Sequence, residues 1–132
     1  MQELNAIVDL LHGEGTTMLG HELSDEDAVA RVREQFPRQP FCLVRHWIWI
    51  DLVLPDMVRD EFEQMGQQAV MLFAHQVVLD SRGRFCSGSW VRSTPLVAFS
   101  DGCFFQTVNT VYVLLGHGVR KSAELSTMIK IF

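Results

Sequence analysis

Eight side chains carry the chemistry most often used for metal binding or nucleophilic attack: His12, His21, His46, His75, His117, Cys42, Cys86 and Cys103. No two stand at CxxC, HxH or HExxH spacing, where one short segment aims both donors at one ion. No metal and no cofactor is therefore assigned. A thiol nucleophile needs a lowered pKa and a base within reach. Cys86 or Cys103 with His75 or His117 is the pairing that would supply them, and it defines a small Cys/His enzyme as one alternative. Cys103, inside FSDGCFF, also reads as a packed strand residue. No residue is singled out as catalytic. GxSxG, phosphate-loop and dinucleotide patterns do not occur. Gly116-His117-Gly118 is too short to cradle a phosphate and reads as a turn. Asp60, Glu61 and Glu63 fall on the solvated face of an amphipathic helix.

Two sets of residues have the chemistry of binding surfaces. Arg45, Trp47, Trp49 and Asp51 alternate along one strand and so share a face. Exposed, they would form an aromatic strip of interface composition. Large aromatics usually bury, so the competing reading packs both indoles under a helix. The second set is Arg82, Arg84, Arg92, Arg120 and Lys121. Converging at one end of a sheet, they would meet an acidic partner or a nucleic-acid backbone; dispersed, they are ordinary solvated charge.

The elements that must position these residues follow from periodicity and punctuation. Leu4, Ile7, Val8 and Leu11 make one helical face, ended by Gly13 and Gly15. Thr16 to Glu22 reads as a loop. Ser24 precedes three acids and a stripe of Ala28, Val29, Val32 and Phe36, a helix with a side-chain cap and a favourable dipole. Residues 41–52 form a strand, with Cys42, Val44, His46, Ile48, Ile50 and Leu52 as its core face. Pro55 opens a third helix and Gly66 closes it. Ala69 to Leu79 is apolar on both faces, as in a central strand. Asp80 to Arg84 is a turn, Phe85-Cys86 returns from it, and residues 88–92 form another short strand.

The last third, Val91 to Gly118, is cut by turn residues. Ser100-Asp101-Gly102 separates two apolar runs and predicts an antiparallel hairpin. A second turn at Val108-Asn109, flanked by Thr107 and Thr110, splits Phe104 to Leu115 into another hairpin; one long strand is the alternative. Past Gly118 the chain forms a short helix or a closing strand. The sum is an α+β single domain over residues 1–132. Its N-terminal helices, within residues 1–40, pack on a largely antiparallel sheet in residues 41–132, with one intervening helix. Two shapes fit that sheet: an open one, and a partly rolled or barrel-like one over residues 69–115.

Composition excludes several classes. Hydrophobic residues make up 48% and charged residues 20%, so the chain has the material for a core and is not disordered. No apolar run approaches the roughly 18 residues of a membrane span, and the first residues lack the basic start of a secretory signal. Three widely spaced cysteines fit a reduced, cytoplasmic protein. The net charge of −5 argues against tight non-specific nucleic-acid binding. The charge is uneven. Residues 1–40 hold eight acids and three bases, residues 41–79 five and two, and residues 80–132 three and six.

The segments FCLVRHW, DSRGRF, WVRSTPLV and GCFFQTVNTVYVLLG together resemble a family of small, uncharacterised bacterial and prophage proteins, over most of the chain and most weakly before Ser24. The resemblance brings no activity, cofactor or catalytic residue with it. Its mobile-element setting implies an accessory protein that binds a host or phage protein. The expectation is a non-enzymatic protein-interaction module in the cytoplasm, a phage or prophage accessory protein or an inhibitor of a host system. Weak nucleic-acid binding through the basic end is the alternative. No membrane partner is expected, and self-association is left open.

Overall fold

The computed structural model describes residues 2–131, with four helices and eight strands among them. Helix α1 (Gln2–His12) turns Ile7, Leu10 and Leu11 inward. Leu4 and Val8, expected on the same face, are half or more exposed. The buried stripe is thus displaced by one position around the helix. The expected loop after it contains a three-residue edge strand, β1 (Thr16–Met18). Helix α2 (Asp25–Gln35) starts as its sequence dictates: the Asp27 backbone N–H donates to Ser24 Oγ at 3.1 Å. Its Ala28 and Val32 are fully buried.

Strand β2 (Phe41–Val53) is the axis of the sheet. Helix α3 (Asp56–Gln64) follows, with Pro55 at its cap and Gly66 closing it at φ 73°. Strand β3 (Val70–Asp80) then runs antiparallel along one edge of β2. The segment at Phe85-Cys86 forms no strand, and pairing resumes only at β4 (Val91–Arg92), antiparallel to β3. Strands β5 (Ala98–Ser100) and β6 (Phe104–Gln106) form the hairpin expected at Ser100-Asp101-Gly102. Asp101 and Gly102 both take positive φ, which that tight turn requires. Strand β7 (Val111–Leu114) pairs back on β6, so residues 104–115 form a hairpin and not one strand. Thr107 holds its turn, accepting from the Thr110 backbone N–H at 3.2 Å and donating to the Thr110 carbonyl at 3.0 Å. The tail forms both expected alternatives, strand β8 (Gly118–Glu124) and helix α4 (Leu125–Met128).

The fold is α+β with a mixed sheet curled into a half-barrel. Most pairings are antiparallel, but the second edge of β2 is parallel: β7 lies along Phe41–Val44 and β8 along Ile48–Val53. Between those two contacts β2 advances four residues, from Val44 to Ile48, while the other chain advances five, from Leu114 to Val119. The extra residue is a bulge, opposite His46, which sits at φ 54°. Bulges bend and twist a strand.

The positive φ at His46 breaks the alternation of β2 and overturns its expected core face. Before it, Cys42 and Val44 point into the half-barrel; after it, Trp47 and Trp49 do. Ile48, Ile50 and Leu52 point to the outer face, and His46 is exposed. The interior is filled by β2, β3, β4, β6 and β7 residues, among them Leu72, Val77, Val91, Phe105 and Tyr112. Outside, α2 covers Leu43, Phe104 and Val113. Helices α1 and α4, with Phe62 of α3, cover Ile48, Ile50, Met71 and Phe73.

Candidate functional site

Trp47 is 1% exposed and Trp49 7%, so the aromatic strip is not a surface. The left-handed backbone at His46 turns both rings inward, and the curled sheet, not a helix, covers them. Trp47 donates its indole N–H to the Leu115 carbonyl at 3.2 Å. Its ring lies against Gly20 and Gly118, at positions where a β-carbon would collide with it or with adjoining backbone. Trp49 meets Phe99 and Phe105 edge-on, at 5.0 and 5.3 Å between centroids.

The outer end of this set reaches solvent. Trp49 donates to Asp51 Oδ1 at 3.3 Å. Arg120, across the parallel pairing on β8, grips the same carboxylate through Nε at 2.7 Å and Nη2 at 2.9 Å. The guanidinium also lies 5.5 Å from the Trp49 ring centroid. The hydrogen bond to Asp51 holds the Arg120 pKa above its ordinary value. Arg45 stands apart from this unit and reaches Asp25, in the first turn of α2, at 3.4 Å.

The five basic residues do not converge. Arg84 closes the turn after β3 on Asp80, through Nη2 at 2.8 Å, Nε at 3.1 Å and its own backbone N–H at 2.6 Å. It also reaches Thr110 Oγ1 at 2.9 Å. Burial pushes the Asp80 carboxyl up, but the Arg84 hydrogen bonds and charge outweigh it and the net shift is downward. Arg92 donates to the Met128 carbonyl at 2.7 Å. Lys121 donates to the carbonyls of Asp9, Leu10 and Gly13, where the α1 dipole favours a cation. Arg82 is exposed in its turn. The Asp80–Arg84 pair was visible as an i, i+4 spacing within DSRGR, yet as a basic patch its arginine pointed elsewhere.

The thiols divide by burial. Desolvation pushes Cys42 up to about 12 and Cys103 up to about 11, with Asp80 and Asp101 adding to the respective shifts. Both are therefore poor nucleophiles at neutral pH. Cys86 is exposed. His75, named as a candidate base, lies against the Leu11 carbonyl at 2.9 Å, and burial lowers its pKa. Among the described residues, no three of His, Cys, Asp and Glu are grouped to hold a metal ion, and no helix is long and apolar enough to cross a membrane.

Two recesses meet beside the outer end of β8. One, of about 500 Å³, is lined by Val53, Leu54, Pro55, Val58, Glu124, Leu125 and Ser126. Val53 is 57% exposed, and Met57 on the first turn of α3 is 77% exposed. The other, of about 730 Å³, runs between α1 and the free edge of β8 and includes Asp9, Glu14, Ser122 and Glu124. Glu124 belongs to both. No sequence signal marked this surface, because its residues come from six separate elements.

No curated protein and no solved structure matches the chain. A family model described as a domain of unknown function, DUF6957, matches residues 18–130. The chain belongs to the DUF6957 family, whose matched region takes in every strand after β1 and helices α2, α3 and α4.

Proposed function

We propose that this protein is a non-enzymatic protein-interaction module. In this reading it works in the cytoplasm as an accessory factor or inhibitor, of the kind prophages carry, and engages a host or phage protein. The observation that supports it is the apolar recess at the β2–α3 and β8–α4 junctions. Val53 is exposed there beside Leu54, Val58 and Leu125, and Met57, the residue before Val58 on α3, is exposed as well. Exposed apolar residues clustered at a recess and rimmed by charge are the composition of a protein-contact surface. Trp47 and Trp49, being buried, support the scaffold and not the contact. Four of the five basic residues are engaged inside the molecule, which takes support from the nucleic-acid reading. The two most buried thiols are held protonated, which takes support from a Cys/His enzyme.

The test is affinity capture from lysate of the source cell, at low and high salt with nuclease added. A discrete protein is expected to survive both treatments and to be lost with Val53→Asp, at an exposed position of the recess whose change leaves thermal unfolding in place. Recovery only of nucleic acid that disappears as salt rises would replace this reading with the nucleic-acid one. Equal capture by the wild type and Val53→Asp would move the contact away from the recess.

A further inference from the structure

We propose that the free edge of β8 at Ser122–Glu124 accepts an extended, basic segment of a protein partner as an added strand. The proposal rests on the protein-interaction reading and names the site and chemistry of the contact.

The edge is open because β1 stops short. It pairs with β8 only from Gly118 to Arg120, through Met18, Thr17 and Thr16. The preceding residues, Gly13 to Gly15, turn away into α1, and Lys121 fastens the end of that helix. On its other edge β8 remains paired with β2 up to Glu124.

The direction of the unpaired groups follows from the pleat. The Arg120 carbonyl faces β1, 3.0 Å from where a β-carbon of Gly15 would stand. Backbone polar groups alternate between the two edges of a strand. Ser122, two residues on, therefore aims its N–H and C=O into the recess, and Glu124 aims its N–H the same way. Among the described residues no hydrogen bond satisfies them on that side. Pairing by an extended peptide would do so, the mode known as strand addition.

Charge selects the occupant. Of the two cations at the recess, Arg120 is held by Asp51 and Lys121 by three α1 carbonyls. Asp9, Glu14 and Glu124 are exposed on its walls. An incoming strand thus meets carboxylates whose nearest cations are already engaged. The chain itself carries a net charge of −5, so edge-to-edge pairing of two copies brings like charges together. A basic segment gains where a second copy loses. Past Glu124 the same segment would enter the apolar recess of Val53 and Leu125.

The test titrates the isotope-labelled full chain with the capped peptide KVKVKVK and, separately, with EVEVEVE. Backbone amide resonances are followed at low salt. Saturable shifts are expected at Ser122, Glu124, Gly15 and Thr16 with the basic peptide and none with the acidic one. Glu14→Lys with Glu124→Lys should weaken binding by roughly tenfold, since two exposed charge pairs are reversed. Equal response to both peptides, or shifts that leave Ser122 and Glu124 unmoved, would overturn the proposal. So would shifts at these amides that grow with protein concentration alone, because the occupant would then be a second copy. If lysate capture yields a partner while the Ser122 and Glu124 amides exchange as fast in the complex as in the free protein, the edge site fails and the interaction reading stands. Binding of the basic peptide at these amides with nothing captured from lysate would keep the edge site and remove the Val53 recess as the main contact.

Discussion

Trp47 lays its indole on the bare backbone of Gly118, and the two residues join the strands β2 and β8 at the point where the parallel pairing slips by one residue. A side chain at 118 would overlap the ring and the Trp47 carbonyl together. The indole N–H, tied to Leu115, leaves the ring no direction in which to yield.

Gly118→Ala is therefore expected to destabilise the fold by about 2 kcal/mol or more, the usual cost of overpacking a dense core. Urea denaturation measures it. Trp47 is fully buried, so part of the loss should appear as a red shift in native-state tryptophan emission. An unchanged midpoint would mean that the bulge opens to make room.

The Arg120–Asp51 pair predicts the opposite scale. Its side chains are 52% and 33% exposed. Water competes for both charges, so Arg120→Gln should cost less than about 1 kcal/mol despite the bidentate geometry. What the substitution should change is access to Trp49, whose ring the guanidinium covers from outside. Iodide quenching should rise in R120Q while the denaturation midpoint moves little. A large loss of stability with unchanged quenching would mean that the pair holds β8 to β2 and does not shield the ring.

How far the sequence could be read divides along the same line. Local signals were reliable: the Ser24 cap, the Asp101-Gly102 turn and the Thr107–Thr110 turn are each written in a few neighbouring residues. The faces of β2 were not legible, because they depend on the positive φ at His46, where no glycine or asparagine marks the left-handed backbone. Alternation carried through His46 puts Ile48 and Ile50 on the inner face, where Trp47 and Trp49 belong. Once that step is missed, the tryptophans read as a candidate surface. The open β8 edge was illegible for a further reason. It exists only because β1, more than 100 residues earlier, is three residues long.

The thiols give a count. Cys42 and Cys103 are fully buried and shifted upward, whereas Cys86 is exposed. Iodoacetamide at pH 8 should label Cys86 alone in the folded protein and all three in denaturant, as read by peptide mass spectrometry. Rapid labelling of Cys103 under native conditions would restore it as a candidate nucleophile.

Acid should weaken the protein in two separate windows. The folded His75 pKa lies below 6.5 because burial opposes its charge, although the Leu11 carbonyl partly offsets this. A group lowered on folding binds its proton more readily in the unfolded chain, so its contribution is present above 6.5 and is lost as pH falls through the folded value. Asp80 behaves likewise from 3.8 downward, because the Arg84 contacts outweigh the burial that opposes its ionisation. Urea midpoints measured against pH should thus decline first below about 6.5 and again below about 3.8. His75→Gln should flatten the upper step and leave the lower one. Asp80→Asn should flatten the lower step and cost about 2 kcal/mol at neutral pH, since the carboxylate is buried while Arg84 can partly rehydrate. An upper step that persists in H75Q would remove His75 as its source.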